Sequence, residues 1–139
     1  MPRTALLIEA NPILRAPLEH TLIVRGYRIC RRTSLLGYCQ PQTSICTHDP
    51  DDNGIRAIVA DRFVDGADLL ACVEMQRARG CTRCHMALMA DEWPSRDRRR
   101  AERLGIHAMT APVFPGQLDR WLWEIEQQRR RADAGVRAA

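Results

Sequence analysis

Ala5-Leu-Leu-Ile-Glu-Ala-Asn-Pro-Ile-Leu-Arg15 holds two structural elements and the junction between them. Ala5 to Ile8 is apolar without a break, the pattern of a strand buried on both faces. Glu9 ends the run. Asn11-Pro12 then opens a helix, because Asn caps the first turn and Pro is preorganised for the first helical position. Leu14, Leu18 and Leu22 recur every four residues, and Gly26 stops the helix. Pro17 removes one internal hydrogen bond, so a kink or a late start is expected there.

The same alternation continues along the chain. Ala57-Ile-Val-Ala60 and Met86-Ala-Leu-Met89 are further short apolar runs, Ala108-Met-Thr-Ala111 is a weaker one, and Tyr27-Arg-Ile-Cys30 reads as an edge strand. Helices are expected over Asp68 to Arg79, Ser95 to Leu104 and Gln117 to Arg131. In the last, Leu118, Trp121, Leu122 and Ile125 follow the i, i+3, i+4, i+7 spacing of a packed face. Asp65-Gly66 reads as a turn leading directly into the helix that follows. Residues 34–54, with Gly37, Pro41 and Pro50, fit worst: a short helix over Leu35 to Cys39 and then a long loop are expected. The chain is one domain over 1–131, and the Ala-, Gly- and Arg-rich residues 132–139 form a flexible tail. Strands alternating with helices predict an α/β fold with a parallel sheet between two helix layers. Sites in such folds form at the C-terminal strand ends, where strand order reverses. Glu9, Ala10, Asp61, Met89 and Ala111 fall there.

Composition narrows the function classes. A chain of 139 residues, 45% hydrophobic and 27% charged, fits one globular core. No stretch approaches the roughly 18 apolar residues of a membrane helix, and the N-terminus has no signal-type apolar run, so a cytoplasmic chain is expected. An initial Met and the lack of an output domain suggest that it is complete. All 21 basic residues are Arg, which excludes any lysine-dependent chemistry. The six cysteines, in a reducing compartment, default to free thiols. Cys81-Thr-Arg-Cys84-His85 spells the haem-attachment string, but that chemistry belongs to exported chains and the motif runs into a buried strand. A zinc site joining Cys81 and Cys84 to Cys46 or His48 lacks finger spacing. A cysteine-based redox or metal sensor stays open as a third reading.

The strand ends carry a resemblance. Leu7-Ile-Glu-Ala-Asn-Pro-Ile-Leu-Arg15, Ile58-Val-Ala-Asp61, His85-Met-Ala-Leu-Met-Ala-Asp91, Leu104-Gly105 and Met109-Thr-Ala-Pro112 together resemble the receiver domains of bacterial two-component response regulators, from about Thr4 to Gln128. The resemblance implies a three-layer α/β/α flavodoxin-like fold with a five-stranded parallel sheet of order 2-1-3-4-5. It also implies five functional positions. Glu9 matches the first of two Mg²⁺-binding acids and Asp61 the phosphoacceptor. Ala10 stands where the second acid belongs, Met89 where the hydroxyl belongs, and Ala111 where the lysine belongs. Ala108 aligns with the aromatic switch.

These replacements oppose phosphoryl transfer, which depends on positioning and on positive charge. A phosphoryl group on Asp61 would bring about −1.5 to −2 charges near Glu9. Two unit charges about 4 Å apart repel by roughly 4 kcal/mol at an effective dielectric of 20. Arg62 is the neighbouring cation, but adjacent residues at a strand end point to opposite sides. Met89 cannot donate a hydrogen bond. The expected function is therefore a non-enzymatic pseudo-receiver that signals through protein contacts and is not switched by aspartyl phosphorylation. It needs no cofactor, with Mg²⁺ relevant only if the pocket works. The alternative is a phosphorelay receiver with Asp61 as acceptor.

Arg96, Arg98, Arg99, Arg100 and Arg103 make the Ser95 to Leu104 helix strongly basic, and Arg129 to Arg131 extend the theme. Without a helix-turn-helix, nucleic acid is not the expected partner. The expected partner is a protein, either another regulator or a histidine kinase, together with a second copy of the chain. Arg99, Arg103, Leu118 and Trp123 are the candidate contacts, Trp123 because it lies off the apolar stripe.

Overall fold

A strand that is apolar on both sides must be covered on both faces. The computed structural model, which describes residues 3–32, 55–78 and 85–138, meets this requirement with a five-stranded parallel sheet between two helix layers. The elements are β1 (Arg3–Ile8), α1 (Pro12–Val24), β2 (Tyr27–Arg32), β3 (Ile55–Asp61), β4 (Phe63–Val64), β5 (Ala67–Asp68), α2 (Leu69–Ala78), β6 (His85–Ala90), α3 (Ser95–Arg103), β7 (Ile106–Thr110) and α4 (Pro115–Ala138). The sheet order is β2-β1-β3-β6-β7. With the small β4–β5 hairpin set aside, this is the expected 2-1-3-4-5. The expected helix and loop over 34–54, together with Cys39, Cys46, His48, Cys81 and Cys84, lie outside the described residues. Cys30 and Cys72 carry free, partly buried thiols.

Alternation along each strand divides the core in two. Leu6, Ile8, Ile58, Ala60, Met86 and Leu88 face Leu69, Leu70 and Val73 of α2 and Ala101 of α3. Ala5, Leu7, Ala57, Val59, Ala87 and Met89 face Leu18 and Leu22 of α1 and Leu118, Trp121, Leu122 and Ile125 of α4. Arg25, at the end of α1, donates to Asp119 and Glu126 of α4 at 2.6 and 2.8 Å, which ties the two helices of that layer together.

Four expectations change. Helix α1 has no late start: Asn11 Oδ1 accepts from Ile13 N at 3.0 Å and the helix runs through Pro17. The carbonyl that Pro17 cannot serve belongs to Ile13, which is 80% exposed, so water can serve it. Strand β7 begins at Ile106, two residues before the weak apolar run, because Ile106 and Met109 are its buried residues. Helix α4 continues past Arg131. It stays helical to Ala138, since Ala and Arg are good helix formers. Asp65-Gly66 is a turn, but not a direct entry to α2. Both residues have positive φ, 52° and 78°, the two-residue geometry that closes a hairpin, and they join β4 to β5.

Candidate functional site

Parallel register brings the predicted site residues to one end of the sheet. Ile8 pairs with Ala60, so Glu9 lies beside Asp61, and Asp61 pairs with Met89. The pairing continues one step past the strands, with Arg62 N donating to Met89 O and Ala111 N to Ala90 O, both at 2.8 Å. Glu9 is buried, and its Oε1 accepts from Asn11 N at 2.9 Å, so the start of α1 fixes the carboxylate. Ala10 is exposed and adds no acid. Met89 is buried against the α1 and α4 side of the core, where its thioether fills space. Ala108 packs against the opposite cluster.

The electrostatics of this end are one-signed. Burial first, then hydrogen bonding to the Glu9 carboxyl and the charges of Glu9 and Asp91, push Asp61 up to about 7. Among the described residues no cation acts on Asp61 to oppose them. Asp91, in the loop after β6, is a pocket acid that sequence reasoning did not single out, although it ends the strand motif quoted above. Arg15 comes nearest in role. Its Nη1 donates to the backbone oxygen of Glu9 at 3.2 Å while its Nε pairs with Glu19 at 3.4 Å.

Arg62 does point away from the pocket, and it has a function of its own in the fold. It is 6% exposed. Nε and Nη2 donate to the two carboxylate oxygens of Asp68 at 3.0 and 3.1 Å, and Nη1 donates to Asp97 at 2.9 Å. The guanidinium lies between the Phe63 and Trp93 rings, at 4.8 and 5.2 Å from their centroids. Trp93 Nε1 donates to Met109 O at 2.8 Å, and Asp68 Oδ1 also accepts from Leu70 N at 3.0 Å. One buried cation thus joins the β4–β5 hairpin, the start of α2, the first turn of α3 and the loop that carries Trp93. The available signal was the pairing of a lone basic residue at a strand end with Asp68 and Asp97 at the starts of the next two helices.

Asp61 and Glu9 are the residues that would hold a divalent cation. The fit is poor: Glu9 Oε1 is already used by Asn11, and among the described residues no group of three His, Cys, Asp or Glu side chains is placed to bind a metal.

The surface candidates separate. Leu118 is fully buried and cannot touch a partner: its place in the i, i+3, i+4, i+7 stripe puts it in the core. Trp123 is 53% exposed. On α3, Asp97 turns inward to Arg62 and Arg100 Nε reaches Glu74 of α2 at 2.6 Å. Arg96, Arg99 and Arg103 form the outward stripe, exposed and without an ion pair among the described residues.

No family model and no curated protein matches the chain. Solved structures do. The receiver domain of a sensor histidine kinase from Pseudomonas aeruginosa PAO1, with a magnesium ion coordinated in its active-site cleft, is 20% identical over 89% of this chain and 97% of that one, at a TM-score of 0.65. The signal receiver domain of a Luxo repressor protein from Vibrio parahaemolyticus is 10% identical over 98% of both chains, at 0.73. Chemotaxis response regulator CheY4 of Vibrio cholerae is 15% identical over 90% and 99%, at 0.65. The chain has the receiver fold. The likeness spans nearly the whole chain, as the strand-end motifs implied. In this receiver fold Asp61 stands at the end of the third sheet strand, among acids.

Replacing that acid has a signed consequence. An aspartate whose folded pKa is raised holds a proton in the native state that the unfolded chain has already released. Asp61 therefore costs stability as pH rises from about 3.8 to about 7, and the cost persists above that range. Asp61→Asn should leave stability near pH 4 unchanged and raise it at pH 8 by about 1–2 kcal/mol, a figure reduced for solvent screening. Urea denaturation at the two pH values measures this. Equal stability of wild type and variant at pH 8 would show that the carboxyl is not strained.

Proposed function

We propose that this protein is a cytoplasmic signalling module of the receiver type that acts through protein contacts and is not switched by aspartyl phosphorylation. The observation that carries the reading is the charge at Asp61: Glu9 and Asp91 press on it, and no cation among the described residues answers them. A phosphoryl oxygen there would meet Ala111 and the core-packed Met89 where a lysine and a hydroxyl would be needed, so the negative charge would be left without donors. The Arg62 clamp supports the same reading, because it bolts α3 to the sheet through Asp97. The outward arginines of α3 and exposed Trp123 suit contact with an acidic protein surface, and self-association is part of the proposal.

Phosphorelay is the second reading. It is favoured by the paired Glu9 and Asp61 and by the magnesium held in the active-site cleft of the Pseudomonas aeruginosa receiver domain. One experiment divides the two. The amide spectrum of the isotope-labelled chain is recorded with millimolar Mg²⁺, then with beryllofluoride or acetyl phosphate added. Unchanged resonances around Glu9, Asp61 and Asp91 are expected at each step. Saturable shifts at those residues would establish the phosphorelay reading instead.

A further inference from the structure

We propose that the outer face of α1 is a self-association surface, on which a second copy of this chain lays the same face antiparallel. The inference rests on the protein-contact reading above and gives its self-association a place. Helix α1 buries Leu18, Thr21 and Leu22 toward the sheet. At about 100° per residue, Ile13, Ala16, Pro17, His20, Ile23 and Val24 lie together on the opposite side, within about 120° of arc and roughly 17 Å of length. All six are exposed, Ile13, Ile23 and Val24 by 80%, 57% and 70%. No acid and no arginine interrupts them. The arginine and the acid that α1 does have, Arg15 and Glu19, lie on its flank and pair with each other at 3.4 Å. The outward faces of α3 and α4 carry exposed arginines instead, Arg99 and Arg103 on one and Arg120 and Arg130 on the other. In a chain that is 27% charged, an outer helix face without charge is the exception, and a continuous exposed apolar strip marks a contact surface.

Charge decides the occupant. An acidic surface of the kind that suits the arginines of α3 would leave its ions against apolar groups here, at a desolvation cost that nothing on α1 offsets. An uncharged convex face is matched by another of its kind, and this strip is matched by itself. Its order is nearly palindromic. A two-fold axis perpendicular to α1 at its midpoint, between Leu18 and Glu19, sets Ile13 of one copy opposite Val24 of the other and Pro17 opposite His20. On the other flank of the strip Ala16, whose side chain is a single methyl, leaves room for the larger Ile23 of the second copy. The strip also carries a donor and an acceptor. The donor is the His20 imidazole, and the acceptor is the Ile13 carbonyl that Pro17 cannot serve. Antiparallel pairing turns each imidazole toward the turn of the other copy that holds this carbonyl. The contact is one helix wide on each side, small beside a standard interface, so association of roughly micromolar strength is expected.

The test uses the full chain. Sedimentation equilibrium should give a dimer whose Kd rises about tenfold or more in Ile13→Glu and equally in Val24→Glu, because both copies then bring a charge to an apolar strip. I13E/V24R should recover most of that loss, since the register sets the two new charges opposite each other, twice in each dimer. Trp123→Ala and R99E/R103E, on other faces, should leave the Kd unchanged. Amide resonances from Ile13 to Val24 should move with concentration in the wild type and stay fixed in the single variants. If Ile13→Glu disturbs the start of the helix, Ile23→Glu gives the same comparison from its far end. A wild type that stays monomeric at millimolar concentration overturns the surface but leaves contact with a different protein standing. A dimer whose Kd ignores the α1 variants overturns it and puts self-contact on another face. Single variants that weaken the dimer, with no recovery in I13E/V24R, overturn the antiparallel pairing.

Discussion

Arg62→Ala should destabilise the fold by about 3–5 kcal/mol, the cost of removing one partner from a buried ion-pair cluster. The loss is not that of the contacts alone. Asp68 and Asp97 would keep their charges without the guanidinium that answers them, and the space between Phe63 and Trp93 would lose its filler. Arg62→Lys should rescue little, because an ammonium can neither pair with both Asp68 oxygens nor stack between two rings. Adding Asp68→Asn and Asp97→Asn to Arg62→Ala should recover part of the loss, since the stranded charges go too. Urea midpoints of the four proteins measure it. A loss below about 1 kcal/mol for Arg62→Ala would mean that the cluster is solvated and does not hold α3.

The clamp has a pH signature opposite to that of Asp61. Burial alone would raise Asp68, but hydrogen bonds from Arg62 and from Leu70 N hold it below its ordinary value. Its contribution is therefore present above the unfolded carboxylate range and fades as pH falls through the folded value. Wild-type stability should pass through a maximum at mildly acidic pH, between loss of the clamp on the acid side and charging of Asp61 on the other. Arg62→Ala should flatten the acid limb and leave the neutral limb unchanged.

Leu118→Ala is the second large effect, at about 2–5 kcal/mol, because the side chain is wholly enclosed by the α1, α4 and sheet residues of one core half. Trp123→Ala, five residues on, should change stability by no more than about 0.5 kcal/mol. The pair of denaturation curves separates a core position from a surface one on the same helix. Similar losses in both would mean that Trp123 is covered.

Leu118 also marks where sequence reading stopped. Its spacing with Trp121, Leu122 and Ile125 already placed it in the core, and that pattern outranks a guess about partners. The strands and the meeting of Glu9, Asp61, Met89 and Ala111 were legible, because apolar runs and strand-end positions are local signals that a parallel sheet aligns; the sheet order came from the family resemblance of those strand ends. The Arg62 clamp was only half legible. Adjacency predicts that Arg62 points away from Asp61, but not that Asp68 and Asp97, 6 and 35 residues on, converge on it. Asp91 escaped because an acid in a loop has no periodicity to betray it. Short β7 was misplaced by two residues, since alanines are apolar enough to mimic a core run without filling one.

The length of α4 gives the molecule a lever. At 1.5 Å per residue its 24 residues measure roughly 36 Å, and the last buried residue among those described is Ile125. The remaining turns extend roughly 18 Å past Glu126, whose carboxylate pairs with Arg3 and Arg25, and carry Arg129, Arg130 and Arg131. A tilt of about 5° at the anchored end would swing the tip by about 1.6 Å, so small repacking around Trp121 and Ile125 is magnified into displacement that a distant neighbour could feel.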